Sequence, residues 1–247
     1  MATDRIDWAR HRAEFHNLGR LQESLKQIVY GGNDGIVTTF AIVAGFAGAS
    51  AQGAAEVGAL AVLVFGLANL FADATSMGLG EFLSTRSQRD LYVIQRRTEL
   101  REYGENPDEE RAELVQMLTE RGLSAEDAEA AAARLFKSPE LVADMMMTYE
   151  LEMPDMRQAT PVADGLSTFA AFVSFGAIPL LPYFALPATD PRAFPLSVAA
   201  TAAALLALGL LRWRATGERM ARSVAETVLV GTTCALVAYG VGALVGG

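Results

Sequence analysis

Carboxylates and thioethers repeated at helical spacing are the residues in this chain best suited to chemistry. In "ADATSMGLGEF", Asp73, Met77 and Glu81 recur at i, i+4 and i+8, so one helix face carries carboxylate, thioether, carboxylate. Asn69, one turn earlier, adds an amide oxygen to that face. A second group lies further on. Glu99 with Glu102 and Glu110 with Glu113 are pairs at i, i+3, and in "DMMMTYE" Met146 and Met147 stand four and three residues before Glu150. Carboxylates beside thioethers suit a borderline first-row divalent cation, whereas calcium and magnesium take oxygen alone. Plainer readings stay open. The glutamates can form a solvated face paired to Arg96, Arg97 or Arg111, the methionines can pack a core, Glu81 can sit at the headgroups, and Asp73 can bond a backbone group. Residues 84–160 contain no His, which disfavours a zinc site or a di-iron site of Glu-x-x-His type.

A further acid, Asp34, opens "GGNDGIVTTFAIVAGFAGAS". No charge follows it until Glu56, and Gly31, Gly32 and Gly35 are expected to loosen the backbone around it. Ionisable residues at membrane depth are costly and mark a path or a substrate site.

The elements that must position these residues follow from how charge is segregated. The chain has 247 residues, a net charge of −9 and 51% apolar residues, with a positive mean hydropathy. Residues 84–160 hold ten Lys/Arg and seventeen Asp/Glu, a net of −7, and the rest is nearly neutral. A membrane helix needs roughly 20 apolar residues. Five spans are expected: 35–55, 57–80, 165–189 (bent or ended by Pro179, Pro182 and Pro187), 193–211 and 227–247. The organisation read from this is an N-terminal amphipathic segment over 1–33, spans one and two over 34–83, an acidic helical insert over 84–160, and spans three to five over 161–247. Lys/Arg cluster in the N-terminal segment and in "RWRATGERMAR", and are nearly absent from the other short loops. That bias places the N-terminus and the insert in the cytosol and the C-terminus outside.

Within the insert, Pro107 near a helix start precedes acids that suit a first turn, and Ser124 stands at capping-box distance from Asp127. Another helix is expected from Ser138, stopping before Pro154. Strand signals are absent, so the expected class is an all-α membrane protein: five transmembrane helices with a cytosolic metal-binding insert between the second and third.

Other function classes fit poorly. The start of the chain is polar, unlike a signal peptide. Cys234 is alone, so no internal disulfide or thiolate cluster forms. There is no nucleophile–base pair and no phosphate-cradling loop, both histidines (His11 and His16) lie near the N-terminus, and the net charge disfavours nucleic acid. An enzyme is not expected. A membrane-tethered metal buffer or sensor is the alternative to a transporter. Gly78, Gly80 and the GxxxG from Gly242 to Gly246 permit close helix contacts.

"DGIVTTFAIVAGFAGA", then "ADATSMGLGEFLSTRSQRD", then an acidic helical insert, resembles the vacuolar iron transporter family of plants, fungi and bacteria. The likeness covers nearly the whole chain. It implies a homodimer in a lipid bilayer that exports Fe2+, often Mn2+ too, from the cytosol in exchange for protons, with no cofactor beyond the transported ion. It implies pathway roles for Asp34 and Met77, and metal binding in the insert by Glu99, Glu102, Glu110, Glu113, Met146, Met147 and Glu150. Plant members have a second-span glutamate two turns before the methionine; this chain has Asn69 there, with Asp73 one turn on. Arg outnumbers Lys eighteen to two, as in GC-rich bacteria. The cell membrane is expected for a bacterial source, a vacuolar one for a eukaryote.

Overall fold

The computed structural model describes residues 6–15, 24–51, 59–187 and 190–246, and their regular structure is helical. The helices are α1 (Trp8–Phe15), α2 (Leu25–Ala51), α3 (Ala59–Glu105), α4 (Pro107–Glu120), α5 (Ala125–Leu135), α6 (Pro139–Tyr149), α7 (Pro161–Gly176), α8 (Leu181–Ala185), α9 (Ala193–Thr216) and α10 (Met220–Gly246), with a 3₁₀ turn, Ile178–Leu180, between α7 and α8. His16 and the expected link between the first two spans, Glu56 included, lie outside the described residues. The chain divides into two compact units: residues 1–82 with 162–247, and residues 83–161.

In the first unit, four stretches among the described residues are long and apolar enough to cross a bilayer: part of α3, Pro161–Ala185, α9, and Met220–Val245. Five were expected. The remaining helix, α2, has 27 residues, but Lys26, Gln27, Asn33 and Asp34 crowd its first half and leave only the second half continuously apolar. Large apolar side chains such as Phe65, Leu206, Leu229 and Leu236 are exposed, which suits hydrocarbon as the surrounding solvent. This unit is an integral membrane body.

Its helices meet through small residues. Gly31, Gly32 and Gly35 do not loosen α2, which runs helical straight through them. They let α7 approach: a Cβ on Gly35 would lie 2.5 Å from the Phe172 carbonyl oxygen, and one on Gly31 would lie 2.8 Å from that of Thr168. On the other side of α2, a Cβ on Gly242 of α10 would run into the Gly45 backbone. Gly78 closes on Gly165 in the same way, while Gly80 meets nothing. The small-residue faces at Gly78 and Gly242 are therefore used within the subunit. Between these crossings, Ile36, Ala204, Leu205 and Leu208 form one buried cluster, and Leu70, Ala74 and Phe172 another.

The third apolar stretch breaks where its prolines predict. Proline removes a backbone donor and ends helical bonding, and here the 3₁₀ turn with Pro179 is followed at once by α8 with Pro182. The Pro179 carbonyl accepts a hydrogen bond from Ser197 Oγ at 2.6 Å, and Ser197 is fully buried.

The second unit combines the later part of α3 with α4, α5 and α6. Pro107 stands in the first turn of α4 with Asp108, Glu109 and Glu110, where the helix dipole favours acids. Ser124 caps α5, its oxygen accepting from the Asp127 N–H at 3.1 Å. Leu114, Met117, Ala132, Val142 and Met146 form the core. Tyr103 closes one edge, stacked on Phe136 at 4.5 Å and donating its hydroxyl to that residue's carbonyl at 2.5 Å.

Candidate functional site

The insert brings its glutamates from three helices. Glu99 of α3 and Glu110 of α4 are only 7% and 5% exposed. Glu102 and Glu113 are half-buried, and Glu150, at the end of α6, is exposed. Charged carboxylates avoid such burial unless something compensates them. Burial pushes Glu99 up to about 7, and the Glu150, Glu113 and Glu102 carboxylates push the same way. Glu110 also rises to about 7, through burial first and then Glu99, Glu113, Glu150 and Glu102. Glu113 is raised by burial, then Glu150. The neighbours that act on these three groups are all acids.

Two of the arginines that a solvated-face reading needs, Arg96 and Arg111, pair with other acids. Arg96 pairs with Glu140 and, at 2.8 Å, with Asp144. Arg111 reaches Glu129 at 3.7 Å. Arg101 touches Glu102 at 3.5 Å, an exposed pair of little weight. Arg121 lies over the Tyr149 ring at 4.2 Å. The Oε2 atom of Glu110 is buried without a hydrogen-bond partner among the described residues.

Met146 and Met147 are fully buried. Met146 packs in the core and also lines, with Glu113, Glu150 and Met117, a cavity of about 230 Å³. Core packing and a place at the cavity therefore do not exclude each other at this residue. Among the described residues, no three His, Cys, Asp or Glu side chains converge tightly enough, as placed, to hold an ion. The acids form a loose cluster.

In the membrane unit, Asp34 is half-buried on α2 and lines a cavity of about 890 Å³ with Lys26, Tyr30, Asn33, Arg212 and Glu226. Asp73 of α3 accepts a 2.6 Å hydrogen bond from Asn69 Nδ2, so the amide expected as an oxygen ligand turns its donor to the carboxylate. Asp34 and Asp73 lie within electrostatic reach of each other. Met77 packs against Leu70, Ala74 and Phe172. Asn69 also lines an apolar cavity of about 830 Å³ with Gly45, Phe46, Phe65 and Val241. Glu81 accepts from Lys26 and Gln27 of α2.

Sequence reasoning missed two features here: the Lys26–Gln27–Glu81 contact, and the 2.8 Å Arg212–Glu226 pair beside Asp34. Neither has a spacing signal, because the partners come from different helices.

A model of the VIT family matches residues 25–243. Vacuolar iron transporter 2 of Oryza sativa subsp. japonica is 36% identical over 220 residues, covering 88% of this chain and 86% of that protein. The vacuolar iron transporter of Toxoplasma gondii is 36% identical over 228 residues, 89% of this chain and 74% of that one. Vacuolar iron transporter 1 of Arabidopsis thaliana is 34% identical over 220 residues, 88% and 84% respectively. These matches run through the apolar helices and the acidic insert alike, and the chain belongs to the VIT family.

Proposed function

We propose that this protein is a proton-coupled divalent metal transporter. It carries Fe2+, with Mn2+ as a second substrate, out of the cytosol as a homodimer with five spans per subunit. The relatives named as iron transporters support the substrate, and the loop-charge bias supports a cytosolic N-terminus and insert. Glu99, Glu102, Glu110, Glu113 and Glu150 capture the ion by charge, and Met146 and Met147 bias the choice toward borderline metals. Asp34, Asp73, Met77, Asn69 and Glu81 serve the path through the membrane. A vacuolar membrane is the setting in a eukaryote and the cell membrane in a bacterium.

The observation that carries this reading is the pair of carboxylates, Asp34 on α2 and Asp73 on the apolar part of α3. They lie within electrostatic reach of each other, and neither has an ion-pair partner among the described residues. Two acids so placed repel until a cation or a proton joins them. A carboxylate that binds the ion when ionised and releases it when protonated couples the two flows. A tethered buffer gives these two acids no task, and family membership lies with transporters rather than enzymes.

The test is Fe2+ uptake into proteoliposomes loaded with a pH-sensitive dye. Metal entry with matched proton exit in the wild type, both lost in Asp34→Asn with normal insertion, is the expected result. Retained flux in that variant, or metal binding without flux under any pH gradient, overturns the reading.

A further inference from the structure

Glu81 is the carboxylate of the α3 face that already has a cation. Its side chain is 14% exposed, and its partner, Lys26, is 73% exposed. Lys26 Nζ lies 3.3 Å from Glu81 Oε1, and Gln27 Nε2 donates to the same oxygen at 3.2 Å. Both contacts use one oxygen of the carboxylate. Gln27 is itself 8% exposed, and its own Oε1 is buried with no hydrogen-bond partner among the described residues. A nearly buried carboxylate, held by a solvent-exposed ammonium and an amide N–H, therefore stands beside an amide whose own oxygen no described group serves.

That is a poor arrangement for a permanent structural pair. A buried acceptor without a donor is destabilising, and an ammonium on a flexible, solvated stem holds its partner weakly. It is a good arrangement for a site that exchanges its occupant, because a carboxylate with an amide oxygen suits a divalent ion better than an exposed ammonium. Lys26 also lines the cavity that holds Asp34, so the residue paired with Glu81 borders the same space as that acid.

We propose that Lys26 is a tethered stand-in for the transported cation. At rest its ammonium neutralises Glu81; an arriving divalent ion displaces it, binds Glu81 with the Gln27 carbonyl, and frees Lys26 to swing aside. Glu81 and Gln27 thus form a transient entry site, and Lys26 is its competitor. This rests on the transport reading, and the two are tested separately.

Two measurements on the full chain decide it. In proteoliposome flux with Fe2+, Lys26→Gln lowers the half-saturating concentration about two- to five-fold, the size of one exposed ion pair, without loss of maximal rate, and Lys26→Arg restores it. Glu81→Gln raises half-saturation, and Lys26→Gln then has no further effect in that background. A lysine with only a structural role instead lowers maximal rate at every concentration, and that result overturns the proposal, as does additivity of the two substitutions.

The second measurement needs no transport. The chain has two lysines, Lys26 and Lys137, so acylation of Lys26 by an amine reagent, read by mass spectrometry, reports its release. Anaerobic Fe2+ accelerates labelling at Lys26 but not at Lys137, and the acceleration disappears in Glu81→Gln. Labelling at Lys26 that ignores Fe2+ overturns the proposal even if flux is intact. Accelerated labelling with no wild-type flux sinks the transport reading and leaves the entry site standing.

Discussion

Replacing Glu110 by Gln should stabilise the metal-free protein while weakening its hold on metal. Glu110 is 5% exposed, one of its oxygens has no partner among the described residues, and the groups acting on it are all acids. Folding raises it from 4.5 to about 7, so the folded state holds its proton more tightly than the unfolded one. The penalty is then absent below pH ~4.5, grows as pH rises toward 7, and is fully present above it. At about 1.4 kcal/mol per unit, the 2.5-unit difference sets an upper bound of ~3 kcal/mol; solvent reaching the exposed members of the cluster lowers this to ~1–2 kcal/mol. The neutral isostere removes that cost. In metal-free hydrogen exchange on the full chain, corrected for intrinsic rates, α4 amides of Glu110→Gln at pH 8 should gain about 5- to 30-fold protection. The gain should shrink as pH falls and vanish below pH ~4.5. Added Fe2+ should protect the wild type strongly and the variant little. A variant less protected than wild type at pH 8, or a gain independent of pH, would refute the buried, uncompensated carboxylate as the source of the effect.

Three further outcomes follow from the geometry. Gly35→Ala forces a Cβ to within 2.5 Å of the Phe172 carbonyl and should cost ~1–3 kcal/mol by overpacking, whereas Gly80→Ala, with nothing within 4 Å, should be neutral or slightly stabilising; the fraction of monodisperse protein surviving heating in detergent separates them. Ser124→Ala should destabilise α5 by about 1 kcal/mol through the lost cap, seen as faster exchange confined to that helix. Met146→Leu nearly conserves volume and should cost under ~1.5 kcal/mol while removing the thioether beside Glu113 and Glu150. Competition titrations should show Fe2+ losing its advantage over Mg2+ in that variant, and undiminished selectivity would deny the thioether a role.

The parts of this fold that sequence disclosed are those governed by local rules. Apolar runs of bilayer length, Pro107 in the first turn of α4 and the Ser124 cap are each decided by a few consecutive residues. The spacing of the glutamates and of Asp73, Met77 and Glu81 was equally local. What escaped was everything settled between helices. Gly31 and Gly35 looked like sources of flexibility and Gly242 like a site of close helix contact with no partner named; each is a point where two helices of one chain come within backbone reach. Arg96 looked available to the glutamates one turn away, but its ions lie 44 and 48 residues on, at Glu140 and Asp144. Lys26 gave no hint of Glu81, 55 residues distant. A single sequence records which faces are small or charged, and only packing decides what stands opposite.

The hydrogen bond from Ser197 to the Pro179 carbonyl has a consequence for how the protein is made. The two residues are 18 apart in sequence and belong to consecutive apolar segments. When the segment with Pro179 first leaves the ribosome and meets lipid, the carbonyls freed by its prolines have no water and no partner. The partner for Pro179 arrives only once the first turns of α9 have emerged. The break is completed only when α9 packs against it, so the two segments are expected to settle in the bilayer together as a hairpin.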